Sequence, residues 1–143
     1  MNVRSILKSK GSNVVSVDAQ ETVSAAAQLL ANHRIGALVV GNESGDIVGI
    51  FSERDIVAGI AKHGASVLAQ PVSDLMTRDV VFCKPSETLV EVMGKMTDRR
   101  VRHLPVVDGD RVLGVVSIGD VVKQRIAETE HEAEALREYI VTG

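Results

Sequence analysis

The sequence predicts an α/β fold of two βαββα units packed with pseudo-twofold symmetry and followed by a C-terminal helix. Three observations carry this. The stretch Gly49-Ile50-Phe51-Ser52-Glu53-Arg54-Asp55 returns as Gly114-Val115-Val116-Ser117-Ile118-Gly119-Asp120. Glu21, Thr22, Leu38 and Val40 recur in register as Glu87, Thr88, Leu104 and Val106. Strand-like apolar runs and helix-like apolar spacing also follow one another in the same order in both halves, as an internal repeat requires.

The elements follow in order. Residues 14–17 and 80–83 are short β-branched or apolar runs bounded by polar residues or Pro, and predict the first strand of each unit. A helix comes next. Val23, Ala26, Ala27, Leu29 and Leu30 share a face in the first unit, as Leu89, Val92, Met93 and Met96 do in the second, where Thr88 stands at capping-box spacing from Glu91. Two strands follow in each unit, 35–40 with 47–51 and 101–107 with 111–117. Glu43-Ser44-Gly45-Asp46 and Asp108-Gly109-Asp110 between them are hairpin-turn chemistry. A second helix is predicted to start at Asp55 and at Asp120. Equivalent positions lie 66 residues apart as far as Val40 and Val106 and 65 apart from Gly49 and Gly114 onward, so the slip falls in the hairpin loop.

Short helical lead-ins at 3–7 and 72–76 precede the units, which sets the expected organisation. Residues 1–62 form the first repeat with its lead-in, 63–71 a linker, 72–125 the second repeat and 126–143 a C-terminal helix. Val122, Ile126, Thr129, Ala133, Leu136 and Ile140 draw a thin apolar seam along that helix. It is predicted to dock on its own body or on a second subunit.

Bulk properties narrow the function classes. A chain of 143 residues that is 45% apolar buries one core or two small fused ones. The formal charge of −3 gives no broad basic field, and 2% aromatic content gives few stacking platforms, so nucleic acid is not an expected partner. No apolar run approaches the roughly 18 residues of a membrane span, and the first residues lack a leader's apolar region, which points to a cytoplasmic protein without a membrane partner. Cys83 is the single cysteine, and His131-Glu132-Ala133-Glu134-Ala135 lacks the second histidine of a zinc helix. No catalytic constellation is legible, so no enzymatic activity and no catalytic or metal site is expected.

The repeat, the Gly-apolar-apolar-Ser-x-x-Asp ends and the strand Arg102-His103-Leu104-Pro105-Val106-Val107-Asp108 together resemble a tandem pair of CBS domains, a Bateman module. The resemblance covers about residues 3–125. It implies clefts between the repeats that bind adenine nucleotides such as AMP, ADP, ATP, NAD or S-adenosylmethionine, and a chain that forms a homodimer and signals through it or through a further protein partner. Carried over residue by residue, it makes Asp55 and Asp120 acceptors for ribose hydroxyls, and Ser52 and Ser117 phosphate contacts. It adds Arg54 as a phosphate partner, Val15, Val80 and Val81 as backbone contacts to adenine, and Gly36, Ala37, Arg102, His103 and Pro105 on the following strands.

The residue chemistry is compatible with that assignment. A carboxylate accepts both donors of a vicinal diol, and a hydroxyl with free amides at a helix start suits phosphate oxygens. Ser-x-x-Asp ahead of an apolar run is equally an ordinary helix cap, and both uses can hold together. The basic pairs His33-Arg34 and Arg99-Arg100 at the first helix ends complement helix dipoles as readily as they neutralise phosphate. Arg54 has Gly119 as its counterpart, and Arg102-His103 stand opposite Gly36-Ala37, so the two sites are expected to differ. The copy with Gly119 must borrow a cation, for which Arg102 and His103 are the candidates. The alternative function is a constitutive dimeric scaffold whose clefts are vestigial.

Overall fold

A computed structural model describes residues 1–11 and 13–142. The chain divides into two compact units. One contains residues 14–80; the other contains 1–13 together with 81–143.

In the 14–80 unit, β1 (Ser16–Asp18) leads through α2 (Val23–His33) to β2 (Ala37–Gly41) and β3 (Ile47–Ser52), and α3 (Glu53–His63) follows. The sheet order is β1-β2-β3, with β1 parallel and β3 antiparallel to β2. Val23, Ala26 and Leu30 of α2 turn inward against Leu38, Val40 and Phe51. The segment after α3 is ordered: residues 65–69 form a 3-10 turn with Val67 fully buried, and Val72–Asp74 form another.

The other unit contains α1 (Val3–Lys10), α4 (Leu89–Arg99), β4 (His103–Asp108), β5 (Arg111–Ser117) and α5 (Ile118–Thr142). Val3 and Ile6 of α1 join Leu89, Val92, Leu104 and Val116 in its core. In forming these units the sequence repeats 1–62 and 72–125 exchange their lead-ins. Each lead-in is packed on the repeat it does not precede, and backbone bonds show why. Val3 N–H donates to the Glu87 carbonyl at 2.9 Å and Arg4 N–H to that of Pro85 at 3.0 Å. In the same pattern Val72 N–H donates to Glu21 at 2.7 Å and Ser73 N–H to Ala19 at 3.0 Å.

The hairpins sit where expected, and the slip lies in their turns: three residues separate Asn42 from Asp46, and two separate Asp108 from Arg111. Three expectations need correction. Residues 80–83 do not form a strand; Cys83 makes one isolated parallel bridge to Val106. Two prolines clip that ladder, since Pro has no N–H to donate. Val39 N–H bonds the Val15 carbonyl and Ala19 N–H that of Gly41, but the equivalent positions are Pro105 and Pro85. The second helices start at Glu53 and Ile118, two residues before the aspartates, because the serine caps them. Finally, α5 is one unbroken helix, so 126–143 is not a separate element, and beyond Glu128 all its described residues are exposed. Leu136 and Ile140 are 60% and 69% exposed, so that half does not dock on its own body.

Gly49 sits where the chain admits no side chain. A Cβ there would lie 2.6 Å from the Met76 sulfur and 2.9 Å from the Thr77 carbonyl oxygen. Gly94, inside α4, would place a Cβ in open space. Gly49→Ala is expected to destabilise the protein by about 1–3 kcal/mol, and Gly94→Ala to stabilise it by about 0.5–1 kcal/mol. Denaturant unfolding followed by circular dichroism measures both; a Gly49→Ala protein as stable as the parent would contradict the close approach to Thr77.

Candidate functional site

The two signatures end their strands in the same way. Ser52 caps α3 with a reciprocal pair of bonds: Asp55 N–H donates to Ser52 Oγ at 3.4 Å, and Ser52 N–H to Asp55 Oδ2 at 2.9 Å. The Ser52 hydroxyl adds a bond to the same Oδ2 at 3.2 Å. At α5, Ser117 N–H donates to Asp120 Oδ2 at 2.9 Å and Asp120 N–H to Ser117 Oγ at 3.1 Å. The helix-cap use of the motif is realised in both copies. It engages Oδ2 in each. A carboxylate has about four acceptor positions, so the cap leaves room for a second set of donors.

Neighbouring strands bring other candidates to the same corner. Ala37 stands opposite Ser52 in the β2–β3 register, and the Gly36 carbonyl accepts from Glu53 N–H at 3.1 Å. His103 likewise stands opposite Ser117, and the Arg102 carbonyl accepts from Ile118 N–H at 2.8 Å. Arg54 is exposed on the first turn of α3 and Arg102 just before β4, whereas His103 is half-buried. Val15 and Val81 are half-buried against the cores of their own units, and Val80 is half-buried at the end of the 14–80 unit. Pro105 is buried in β4 opposite Val115, two residues further along the strand than His103. Its ring stands in the sheet, away from the serine end.

Lys10 joins this group without a signal in the sequence. The last residue of α1, it places Nζ 2.7 Å from Asp120 Oδ2 and 2.9 Å from the Val115 carbonyl oxygen. The sequence distance is 110 residues, and the crossed lead-in that closes it could have been found only by pairing 3–4 with 85–87.

This ion pair divides the two carboxyls electrostatically. Burial pushes the Asp55 carboxyl above its ordinary value, against the opposing bonds from Ser52. Burial acts in the same direction on Asp120, but the Lys10 hydrogen bond and charge, with the bonds from Ser117, outweigh it and hold that carboxyl below its ordinary value. Burial, reinforced by Glu87, pushes the Cys83 thiol up to about 12, so it stays protonated and unreactive. Among the described residues no cluster of His, Cys, Asp or Glu is arranged to hold a metal, and no helix is long and apolar enough to cross a membrane.

The sign of the linkage differs between the carboxyls. Asp120, more acidic folded than unfolded, contributes stability above its unfolded pKa that is lost as pH falls through the folded value. Asp55, less acidic folded, contributes stability below its unfolded pKa that is lost as pH rises through the folded value. Carboxyl carbon NMR titration is expected to find Asp55 titrating at higher pH than Asp120. The reverse order would contradict the assigned roles of burial and Lys10.

Comparison with known proteins bears on the family and the fold. The CBS domain family profile matches residues 3–62 and 72–126. The CBS domain-containing protein CBSX3, mitochondrial, of Arabidopsis thaliana is 34% identical over 99% of this chain and 72% of its own length. Some other curated relatives are longer, and the chain spans only 31% and 24% of two of them. A CBS-domain containing protein from Agrobacterium tumefaciens has a solved structure with a TM-score of 0.83 and 44% identity, covering 87% of this chain and 92% of that one. A CBS domain pair solved in complex with 5′-methylthioadenosine and S-adenosyl-L-methionine has a TM-score of 0.79 and 26% identity, covering 90% of this chain and 98% of that one. With two matched repeats spanning most of its length, each ending in the same capped strand–helix junction, the chain belongs to the CBS domain family.

Proposed function

We propose that this chain is a non-catalytic regulatory module that binds adenine nucleotides, AMP, ADP or ATP and dinucleotides such as NAD included, and passes their presence on through a change in its own assembly or in a protein partner. The observation that carries the reading is the pair of serine–aspartate junctions, each capping a helix and fixing an acceptor-only carboxylate at the end of a strand. The adenosine-based ligands of the solved CBS domain pair support the same ligand class.

In this reading Asp55 and Asp120 take the ribose diols. Ser52 and Ser117 contact phosphate, and so do Arg54 in the first repeat and Arg102 and His103 in the second. Val15, Val80 and Val81 supply backbone groups to the adenine, and Gly36, Ala37 and Pro105 shape the strand beside it. Regulation requires that the ligand favour one of two conformations, since a ligand with equal affinity for both shifts neither. Exposed Val57 and Ile60 on α3, with Val122 and Ile126 on α5, support self-association as the readout, in a homodimer working in the cytoplasm.

Calorimetry of the full chain with AMP, ATP and NAD tests this. At least one is expected to bind, and the Asp55→Ala/Asp120→Ala protein to lose at least about tenfold in affinity as its charge-assisted bonds disappear. Sedimentation of the same samples should show a dimer. Absence of binding by the unmodified protein, with recovery of a stable dimer, would favour a constitutive scaffold instead.

A further inference from the structure

We propose that Lys10 is a further phosphate-reading cation of the second repeat, beside Arg102 and His103, held against Asp120 until a nucleotide's ribose displaces it. The inference rests on the nucleotide-binding reading above and assigns the residue that sets ligand class at one of its two sites. Three observations carry it. Lys10 Nζ contacts Asp120 Oδ2, on the carboxylate assigned to the ribose, at 2.7 Å. Its stem leaves a helix that is fixed in the same unit, with Val3 fully buried, Ile6 nearly so, and the Val3 and Arg4 amides bonded to Glu87 and Pro85. The second signature also has Gly119 where the first has Arg54, so it lacks the cation that its twin carries within the motif.

Lysine suits this exchange. Its ammonium is a compact charge with three donors on a flexible four-carbon stem, so it can leave one anion for another a few ångströms away while the helix stays in place. The Lys10 side chain is 40% exposed, which leaves that path open. A ribose diol that bridges the carboxylate, one hydroxyl on Oδ1 and the other on Oδ2, competes with the ammonium for Oδ2. In a 5′-nucleotide the phosphate lies one methylene beyond the sugar ring, within the sweep of the released side chain. A nucleoside without phosphate still has to displace Lys10, but offers it no anion in return. The second repeat is thereby selective for phosphorylated nucleosides, and the first, with Arg54 already on its helix, needs no such exchange.

Calorimetry with AMP and adenosine tests the exchange in the full chain carrying Asp55→Ala, so that the response comes from the second repeat. Adding Lys10→Met should weaken AMP about tenfold or more while leaving adenosine unchanged or tighter, and adding Lys10→Arg should keep the preference for AMP. Equal changes for both ligands, or unchanged AMP affinity, would overturn the role of Lys10 and leave the broader reading standing. So would AMP binding to the unmodified protein that Asp55→Ala alone abolishes. No binding of either ligand to the unmodified protein would instead remove the broader reading, and this inference with it.

Discussion

The bond pair between a serine and the aspartate three residues later is the constraint on which both units depend. It ends a strand, starts a helix and fixes a carboxylate at the junction. A cap of this kind stabilises a helix by about 1 kcal/mol, a modest amount that many side chains could supply. What few alternatives supply is a second anionic oxygen held rigidly at the sheet's end. A threonine or asparagine in place of Asp55 or Asp120 would still find backbone partners, but would lack an acceptor-only group for a diol.

The crossed lead-ins turn this local motif into two unequal sites. Each repeat is completed by the segment that precedes the other, through backbone bonds that are the same in both copies. The backbone clasp is thus shared while the side chains around it are not. Lys10 arrives at Asp120 and sets its charge balance, whereas burial governs Asp55. Two similar scaffolds carry one carboxyl biased toward protonation and one biased toward ionisation. Unequal ligand preferences are the expected consequence in a protein whose repeats otherwise match.

Much of the fold was legible because its determinants are local. Thr22 and Thr88 cap α2 and α4, turn chemistry closes both hairpins, and the one-residue slip lies in the turns where the repeat offset changes. The shortened strand ladder was also written in the sequence, as Pro85 and Pro105 at positions whose counterparts donate ladder bonds. That signal becomes readable only once the repeats are superposed residue by residue. The exchange of lead-ins was not legible, since it rests on backbone bonds between segments more than 50 residues apart with no distinctive side chains. Lys10 was hidden for the same reason. At the site, Ser52, Asp55, Ser117 and Asp120 announced themselves by repetition, while the ligand roles of Arg54, Arg102 and His103 depend on a bound molecule's position, which neither spacing nor apolar pattern encodes.

The most direct test of the account is a crystal structure of the full chain grown with saturating AMP. The account predicts the ribose hydroxyls within hydrogen-bond distance, about 2.5–3.0 Å, of the Asp55 or Asp120 carboxylate, with Oδ2 still accepting from the serine amide. A nucleotide bound with its ribose away from both carboxylates, or a junction that surrenders its cap to bind it, would contradict the account.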